Sequence, residues 1–457
     1  MVKEMRARQR RLLVGFVTVI VVELVLLGLA LVARPAVQAI PGRYRSRLPV
    51  AVQRLAHQPH AYLLPTPDIL VTAALPTFPV TPPSPTPTAA PPTRTPVARP
   101  PTRQDMTATP SRTPIATRTP SPTPTVTTVR DPALIARSTP ADLERAFLTL
   151  AGVTHSYQLW NNCGPATLTM ALSYYGWQGD QRVAAAFLKP DQEDKNVNPS
   201  EMAAFVQQQG LEVIVRYGGD VQLIRQLLLA GFPVLIEKGF DPEPDRLGWM
   251  GHYLLIVGYN EFEKSFVTMD SYLGPDRKES YTETDEYWRH FNRTYLVIFR
   301  PEQRADLAAV LGDDMAPTVN AWNTLSVNIA EVRAMPADAF AWFNLGTSYA
   351  QVGFYPDAAG AYDEARRLGL PWRMLWYQFG PFESYLQVGR VDDVLTLAEA
   401  TLATTREVEE AFYYRGVALK TKGDLVRARE AFEQAVSLNP NFAAGVQALA
   451  ALPPVGG

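Results

Sequence analysis

The run Leu159–Gly176 contains Cys163, the only cysteine of the 457-residue chain. Two asparagines precede Cys163 and apolar residues recur after it, which predicts a helix that begins close to the cysteine and ends at Gly176. A thiol at a helix N-terminus faces the positive end of the helix dipole, and that position favours the thiolate. A lone cysteine is nevertheless more often a small buried side chain than a nucleophile. Its role therefore depends on what lies near it.

Two further side chains occupy the outer ends of predicted strands. His252 opens the apolar run HYLLIVGY, and Asp270 closes the run SFVTMD. A turn at residues 260–264 would join the two runs as a hairpin and set the histidine beside the aspartate. An aspartate that orients an imidazole facing a thiol is the nucleophile–base–orienter arrangement of acyl transfer. Each also has a structural interpretation: His252 as a packing residue, and Asp270 as the cap of the turn before Gly274.

Gln158 lies five residues before Cys163. Its amide could donate to an oxyanion alongside the backbone N–H of the cysteine. The remaining histidines near these segments, His155 and His290, are interpreted as surface or packing residues. No pair of histidines has the HExxH spacing of a helical zinc site, and one cysteine excludes a disulfide framework within the chain. We therefore expect neither a metal nor a cofactor.

These candidate residues lie in a segment with globular patterning, residues 140–301. Helices are predicted at Pro199–Gln209 and at residues 221–230. Strands are predicted at residues 231–237, 252–259, 265–270 and 294–300. Because helices come first and an antiparallel sheet follows, the pattern indicates an α+β domain.

Three blocks of this segment, QLWNNCGPATLTMAL, GHYLLIVGY and FVTMDSYLG, resemble the papain-like cysteine peptidases of the bacteriocin-processing type, and more closely their stand-alone C39-like branch. The resemblance covers residues 154–300. It implies a papain-like fold with Cys163 as nucleophile, His252 as general base and acid, Asp270 as orienter and Gln158 in the oxyanion hole. No transporter or ATP-binding segment follows in the sequence, so the double-glycine leader specificity of transporter-fused members is not part of the expectation.

The N-terminal residues predict a membrane anchor. A basic flank at residues 1–11 precedes a 22-residue apolar run at residues 12–33, and about 20 helical residues cross a bilayer. The flank is expected to stay cytoplasmic, so the rest of the chain would lie on the extracytoplasmic side. A cleaved signal peptide is the alternative, although its apolar region is normally shorter. Either interpretation exports the remaining domains.

A juxtamembrane segment and a linker occupy residues 34–139. Between Pro65 and Thr128 there are 18 prolines and 18 threonines in 64 residues. Such a composition cannot bury enough apolar surface to fold, and proline favours an extended chain. We expect a disordered spacer, or a stalk that crosses a cell envelope.

Residues 302–457 predict an all-α array of tetratricopeptide type. Gly346 and Tyr362 occupy signature positions of one repeat, and Gly416 and Phe432 recur 70 residues later in the same register, which is close to two repeat periods. The unit between them, 373–408, is degenerate, and an extra helix is predicted at residues 316–333. Such arrays bind peptides or proteins in a groove, although packing within the chain would need the same residues.

Length favours two or three domains, and 43 basic against 45 acidic residues argue against nucleic acid as a partner. The combined expectation is an exported, membrane-anchored cysteine peptidase that hydrolyses peptide bonds and uses its repeats to recruit a partner or substrate. Two alternatives remain. One is a papain-like domain without turnover in a binding scaffold, and the other is an acyl or peptidyl transferase that uses the same thiol.

Overall fold

The computed structural model describes residues 64–67, 146–241 and 248–453. Residues 146–299 form an antiparallel sheet covered by helices, and helices then continue to residue 450. The described strands are β1 (Phe147–Thr149), β2 (Glu212–Arg216), β3 (Val234–Phe240), β4 (Met250–Asn260), β5 (Ser265–Asp270), β6 (Gly274–Ser280) and β7 (Tyr295–Phe299). The helices of the sheet domain are α1 (Cys163–Tyr174), α2 (Gln181–Leu188), α3 (Pro199–Gln208), α4 (Val221–Leu229) and α5 (Tyr281–Trp288).

The sheet has the strand order β2-β7-β3-β4-β5-β6, and β1 pairs with the end of β4. The predicted hairpin is present, since Asn260 pairs with Ser265 across the turn at residues 261–264. The strand predicted at residues 231–237 begins later, at Val234. Gly231 has a φ of 86°, a left-handed conformation that ends α4 before the chain can extend.

Helices cover both faces of the sheet, which explains why β4 reads as a continuous apolar run. Successive residues of a strand point to opposite faces. Leu255 accordingly joins the core beneath α1 and α3, while Leu254 and Ile256 join the core beneath α4 and α5. Both cores are fully buried at these positions. The sheet domain is thus a three-layer α+β fold, with α1 seated against the strand that begins near His252.

The helical array consists of α6 (Arg304–Leu311), α7 (Pro317–Ala334), α8 (Ala339–Gln351), α9 (Tyr355–Leu368), α10 (Gly380–Gln387), α11 (Val391–Thr404), α12 (Glu409–Thr421), α13 (Leu425–Leu438) and α14 (Ala443–Ala450). Gly346 on α8 lies against the ring of Tyr362 on α9, and Gly416 on α12 lies against Phe432 on α13. A Cβ on either glycine would come within 2.8 and 2.6 Å of the ring, respectively. The two predicted repeats therefore pack through the same glycine–aromatic contact.

The short segment 64–67 lies against this array. Leu64 is buried in the array core, and its N–H donates to the carbonyl of Leu370 at 3.3 Å. Arg366 donates through Nε to the carbonyl of Pro65 at 2.8 Å. The first residues of the predicted linker are thus held by the helices.

The predicted transmembrane segment 12–33, and the linker beyond residue 67, lie outside the described residues. Among the residues that the structure describes, no helix combines the length and the apolar character needed to cross a bilayer.

Candidate active site

Cys163 is the first residue of α1 and is partly exposed to solvent. The loop before it is tied to α2 by Gln181, whose Oε1 accepts from the N–H of Leu159 at 2.8 Å and from the amide of Asn162 at 3.2 Å. The amide of Gln181 donates back to the carbonyl of Tyr157 at 2.7 Å. Sequence reasoning missed Gln181 because α2 itself was not predicted. The single buried amide of Gln181 thereby holds the conformation of the loop that precedes Cys163.

His252 and Asp270 lie side by side at the outer ends of β4 and β5. The Nε2 of His252 is 3.2 Å from Oδ2 of Asp270, and both side chains are buried. The other carboxylate oxygen, Oδ1, accepts the N–H groups of Tyr272 at 2.7 Å and Leu273 at 2.8 Å. Asp270 therefore both caps the turn and holds the imidazole, with one oxygen for each.

The imidazole of His252 is held on its other sides as well. It interacts with the thiol of Cys163 and lowers the pKa of that thiol, and the ring of Phe240 stacks on it at a centroid distance of 4.2 Å. The structure thus brings together three of the four predicted side chains, as thiol, imidazole and carboxylate in series. Phe240, at the end of β3, is a positioning residue that nothing in the sequence distinguished from an ordinary core aromatic.

The electrostatics of this series favour charge separation. Burial raises the pKa of Cys163, but the hydrogen bond and positive charge of His252 outweigh it, so the pKa of the thiol is lowered overall. Burial lowers the pKa of His252, and the carboxylate of Asp270 reverses this and raises it to about 9. Burial likewise raises the pKa of Asp270, yet the charge of His252 brings it down to about 2. Both shifts favour a thiolate beside an imidazolium over the neutral pair.

Gln158 lies beside the turn that follows Asp270. Its N–H donates to the carbonyl of Ser271 at 2.8 Å, and its Oε1 accepts from the hydroxyl of the same serine at 2.9 Å. Ser271 therefore fixes the orientation of the glutamine amide. The sequence carried no sign of this partner, because the two residues are 113 positions apart.

Two buried ionisable side chains near the thiol, Lys189 and Glu237, were also not predicted from the sequence. Lys189 donates through Nζ to the carbonyls of Asn161 at 3.2 Å and Asp194 at 2.8 Å, and its charge helps to lower the pKa of Cys163. Glu237 on β3 is buried, and burial, followed by the charge of the thiolate, raises its pKa well above the usual range. A neutral Glu237 does not oppose ionisation of the thiol.

The other two histidines among the described residues, His155 and His290, make contacts of different kinds. His155 lies with Nε2 2.9 Å from the carbonyl oxygen of Asp270, behind the candidate site. His290 stacks on Phe340 at 3.8 Å and accepts from the indole N–H of Trp249 at 3.1 Å. Burial lowers the pKa of His290 to about 3, so it is neutral at physiological pH.

Comparison with known proteins identifies two parts of the chain. Residues 150–298 match the family model described as the peptidase C39-like family, and residues 409–442 match the tetratricopeptide repeat model. The chain therefore contains a C39-like peptidase domain and a tetratricopeptide repeat, as the sequence predicted. No curated protein matches the chain.

Solved structures give distant matches. A structure described as a C39-like peptidase from Bacillus anthracis is 14% identical, with a TM-score of 0.28, and the match covers 34% of this chain and 98% of that chain. The crystal structure of MamA is 17% identical, with a TM-score of 0.26, and covers 28% of this chain and 75% of that chain.

Proposed function

We propose that the chain is an exported, membrane-anchored cysteine peptidase in which Cys163, His252 and Asp270 hydrolyse peptide bonds. The observation that carries this proposal is the buried His252–Asp270 pair at 3.2 Å beside the thiol at the start of α1, with the pKa of the thiol lowered and that of the imidazole raised. A buried thiol without such a partner has a raised pKa and is inert. The C39-like domain match supports the same chemistry.

The mechanism follows from these positions. The thiolate of Cys163 attacks the substrate carbonyl, and the negative charge that develops on oxygen is met by the backbone N–H at the start of α1. Because Ser271 holds the oxygen of the Gln158 amide, the NH₂ group of that amide is the donor that this mechanism assigns to the oxyanion. His252 then gives its proton to the leaving amine and later takes one from the water that hydrolyses the acyl-enzyme.

The other parts of the chain serve location and recruitment in this proposal. The apolar segment 12–33 anchors the protein with its domains outside the cytoplasm, and the Pro/Thr-rich linker separates them from the bilayer. The repeats recruit a protein partner or substrate through the surface that such arrays present. Peptide or protein is the expected substrate class.

The first experiment measures alkylation of Cys163 by iodoacetamide and by a peptidyl epoxide across pH 5 to 10. Because the chain has one cysteine, the mass shift of the intact protein reports this thiol alone. We expect the native protein to react well below the pH at which an ordinary thiol ionises, and His252→Ala to react only as an ordinary thiol does. A native rate equal to that of a free thiol at every pH would contradict the proposal and favour the scaffold alternative.

The second experiment identifies new protein termini produced by the native chain and by Cys163→Ala. Free carboxyl termini that require Cys163 indicate a hydrolase. Products joined to an added amine such as glycine amide indicate the transferase alternative, because the acyl-enzyme has then passed to an amine instead of water.

A further inference from the structure

A small cavity opens directly beside the thiol of Cys163. It is lined by Cys163 and Gly164 of α1, by Glu237 of β3, by Gly251 and Tyr253 of β4, and by Tyr377. Its volume is about 10 Å³, roughly the room for one water molecule. As it stands, the cavity beside the nucleophile admits no large side chain.

Among the described residues that line this cavity, Tyr377 alone comes from the helical array. It follows the short 3-10 turn Met374–Trp376, between α9 and α10. The other lining residues belong to the sheet domain that matches the C39-like family. One wall of the cavity is therefore built by a part of the chain that lies outside the peptidase-like domain.

Tyr377 is held firmly against the strand that carries His252. Arg373, four residues earlier, donates through Nη1 to the carbonyls of Gly248 and Trp249, each at 3.2 Å. Gln378 donates to the carbonyl of His290 at 3.0 Å. The Tyr377 side chain is thus flanked on both sides by hydrogen bonds that cross between the two domains.

The ring of Tyr377 also packs tightly at Gly251, the residue immediately before His252. A Cβ on Gly251 would lie 3.0 Å from Cγ and Cδ1 of Tyr377 and 2.9 Å from Cζ of Phe291. The ring also makes edge contacts with Trp249 and Phe291 at centroid distances of 6.0 and 6.1 Å. The partly buried ring therefore occupies the space that a side chain at position 251 would need.

We propose that Tyr377 is a specificity-determining residue: it is the wall of the substrate pocket that the helical array contributes, and it limits the size of the substrate side chain accepted beside Cys163. The inference rests on the proposed function, because it assigns the cavity to substrate. In addition to recruiting a substrate or partner, the helical array would then take part in selecting the substrate beside the thiol. Such a wall discriminates by size, since a methylene that does not fit lowers the rate by roughly 10–200-fold.

The test uses the full chain and two peptidyl acyloxymethyl ketones that differ only in the residue next to the ketone, alanine or phenylalanine. The thiolate forms a bond from Sγ to the methylene carbon, the carbon–oxygen bond to the carboxylate leaving group breaks, and the thiol proton passes to His252 or buffer. The labelling rates of the two probes give a ratio, phenylalanine over alanine. We expect this ratio to be low in the native chain and to rise at least about tenfold in Tyr377→Ala.

Two control variants separate pocket size from general loosening. Tyr377→Phe keeps the ring and should leave the ratio within about threefold of native. Tyr355→Ala removes a tyrosine from the start of α9, outside the cavity lining, and should leave the ratio unchanged. A native chain that reacts equally with both probes, or a ratio that is the same in Tyr377→Ala, would overturn the inference.

The same probes keep this inference apart from the proposed function. At pH about 9 even an ordinary thiol is largely ionised, so the ratio reads the size of the pocket whether or not His252 activates the thiol. Failure of the proposed function would instead appear as equal rates for the native chain and His252→Ala with both probes at pH 6.

Discussion

This protein has two clusters of buried titratable side chains whose pKa values are shifted in opposite senses. In one cluster the shifts favour the charged forms, and in the other they favour the neutral forms. The first is the candidate catalytic series of Cys163, His252 and Asp270. The second, which we call the interface carboxyl cluster, lies where the loop after α2 and the start of α3 meet α12 of the array. It consists of Asp194, Glu201, Glu409 and Glu410.

The members of the interface carboxyl cluster have raised pKa values. Burial is the largest cause for each, and neighbouring carboxylates add to it for Asp194, Glu201 and Glu410. The pKa of Glu201 rises to about 7. Asparagine amides supply most of the hydrogen bonds, as where Asn196 and Asn198 donate to Oε1 of Glu410 at 3.0 and 2.5 Å. The buried Lys189 is the nearby cation, and burial lowers its own pKa.

The comparison teaches that burial alone does not decide the charge of a group. Asp270 and Glu410 are both buried, yet the pKa of Asp270 falls to about 2 while that of Glu410 rises. The difference is the charge of the neighbouring group. An imidazolium stabilises the carboxylate of Asp270, whereas neighbouring carboxylates destabilise that of Glu410. The surroundings of the first cluster favour its charged forms, and those of the second favour neutral carboxyl groups at the contact between the two domains.

The largest expected effect comes from removing the negative charge of Asp270. In Asp270→Asn the imidazole loses the carboxylate that raises its pKa, so the positive charge beside the thiol is lost at a lower pH. We expect peptide cleavage to fall by roughly 10²–10⁴-fold, and the acid limb of the alkylation profile to move to higher pH. Rates of alkylation between pH 4 and 10 measure the shift.

Asp276→Asn is the matched control for this variant, because Asp276 is an exposed aspartate in the strand that follows the turn. It should leave both the rate and the profile unchanged. The paired-charge explanation fails if Asp270→Asn keeps the native alkylation profile.

A smaller, pH-dependent effect is expected from the interface carboxyl cluster. The pKa of Glu410 is raised in the folded protein, so its stabilising contribution is present at low pH and is lost as pH rises through the folded pKa. Glu410→Gln keeps the acceptor for Asn196 and Asn198 but cannot ionise. We expect the variant to raise the thermal midpoint by a few degrees more at pH 8 than at pH 5, because the penalty for keeping this carboxyl protonated grows with pH until the folded pKa is reached.

Glu433→Gln, at an exposed position on α13, is the control and should show no such dependence. If Glu410→Gln gives the same shift at pH 5 and pH 8, then ionisation of the cluster does not limit stability. Differential scanning fluorimetry of the full chain at the two pH values is sufficient.

The smallest effect is expected at an exposed ion pair. Lys278 and Glu263 approach to 2.7 Å, closer than His252 and Asp270, but their side chains are 62% and 44% exposed. Solvent screens such a pair and holding it costs side-chain entropy, so Lys278→Ala should change the thermal midpoint by no more than about 1 °C. Asp270→Ala is measured in parallel. If Lys278→Ala lowers the thermal midpoint as much as Asp270→Ala does, the distance between two charges affects stability more than their burial does.

Much of the candidate site could be predicted because its parts are local patterns. The helix start at Cys163 follows from the residues around it, and the ends of β4 and β5 follow from two apolar runs and a turn. A hairpin constrains its two ends to meet, so His252 and Asp270 could be paired without knowing the rest of the fold. Gln158 was the weaker prediction, because its orientation depends on Ser271 across the fold.

What the sequence by itself determined is the class and order of the main elements: the α+β segment, the order of Cys163, His252 and Asp270, and repeats with glycine and an aromatic residue at a fixed spacing. These follow from periodicities that the backbone imposes on helices and strands. Only the tertiary structure decided that Tyr377 borders the thiol and that Asn196 meets Glu410, 214 positions away. Such contacts depend on how one domain packs on another, and no local pattern encodes the meeting of surfaces so far apart in the chain.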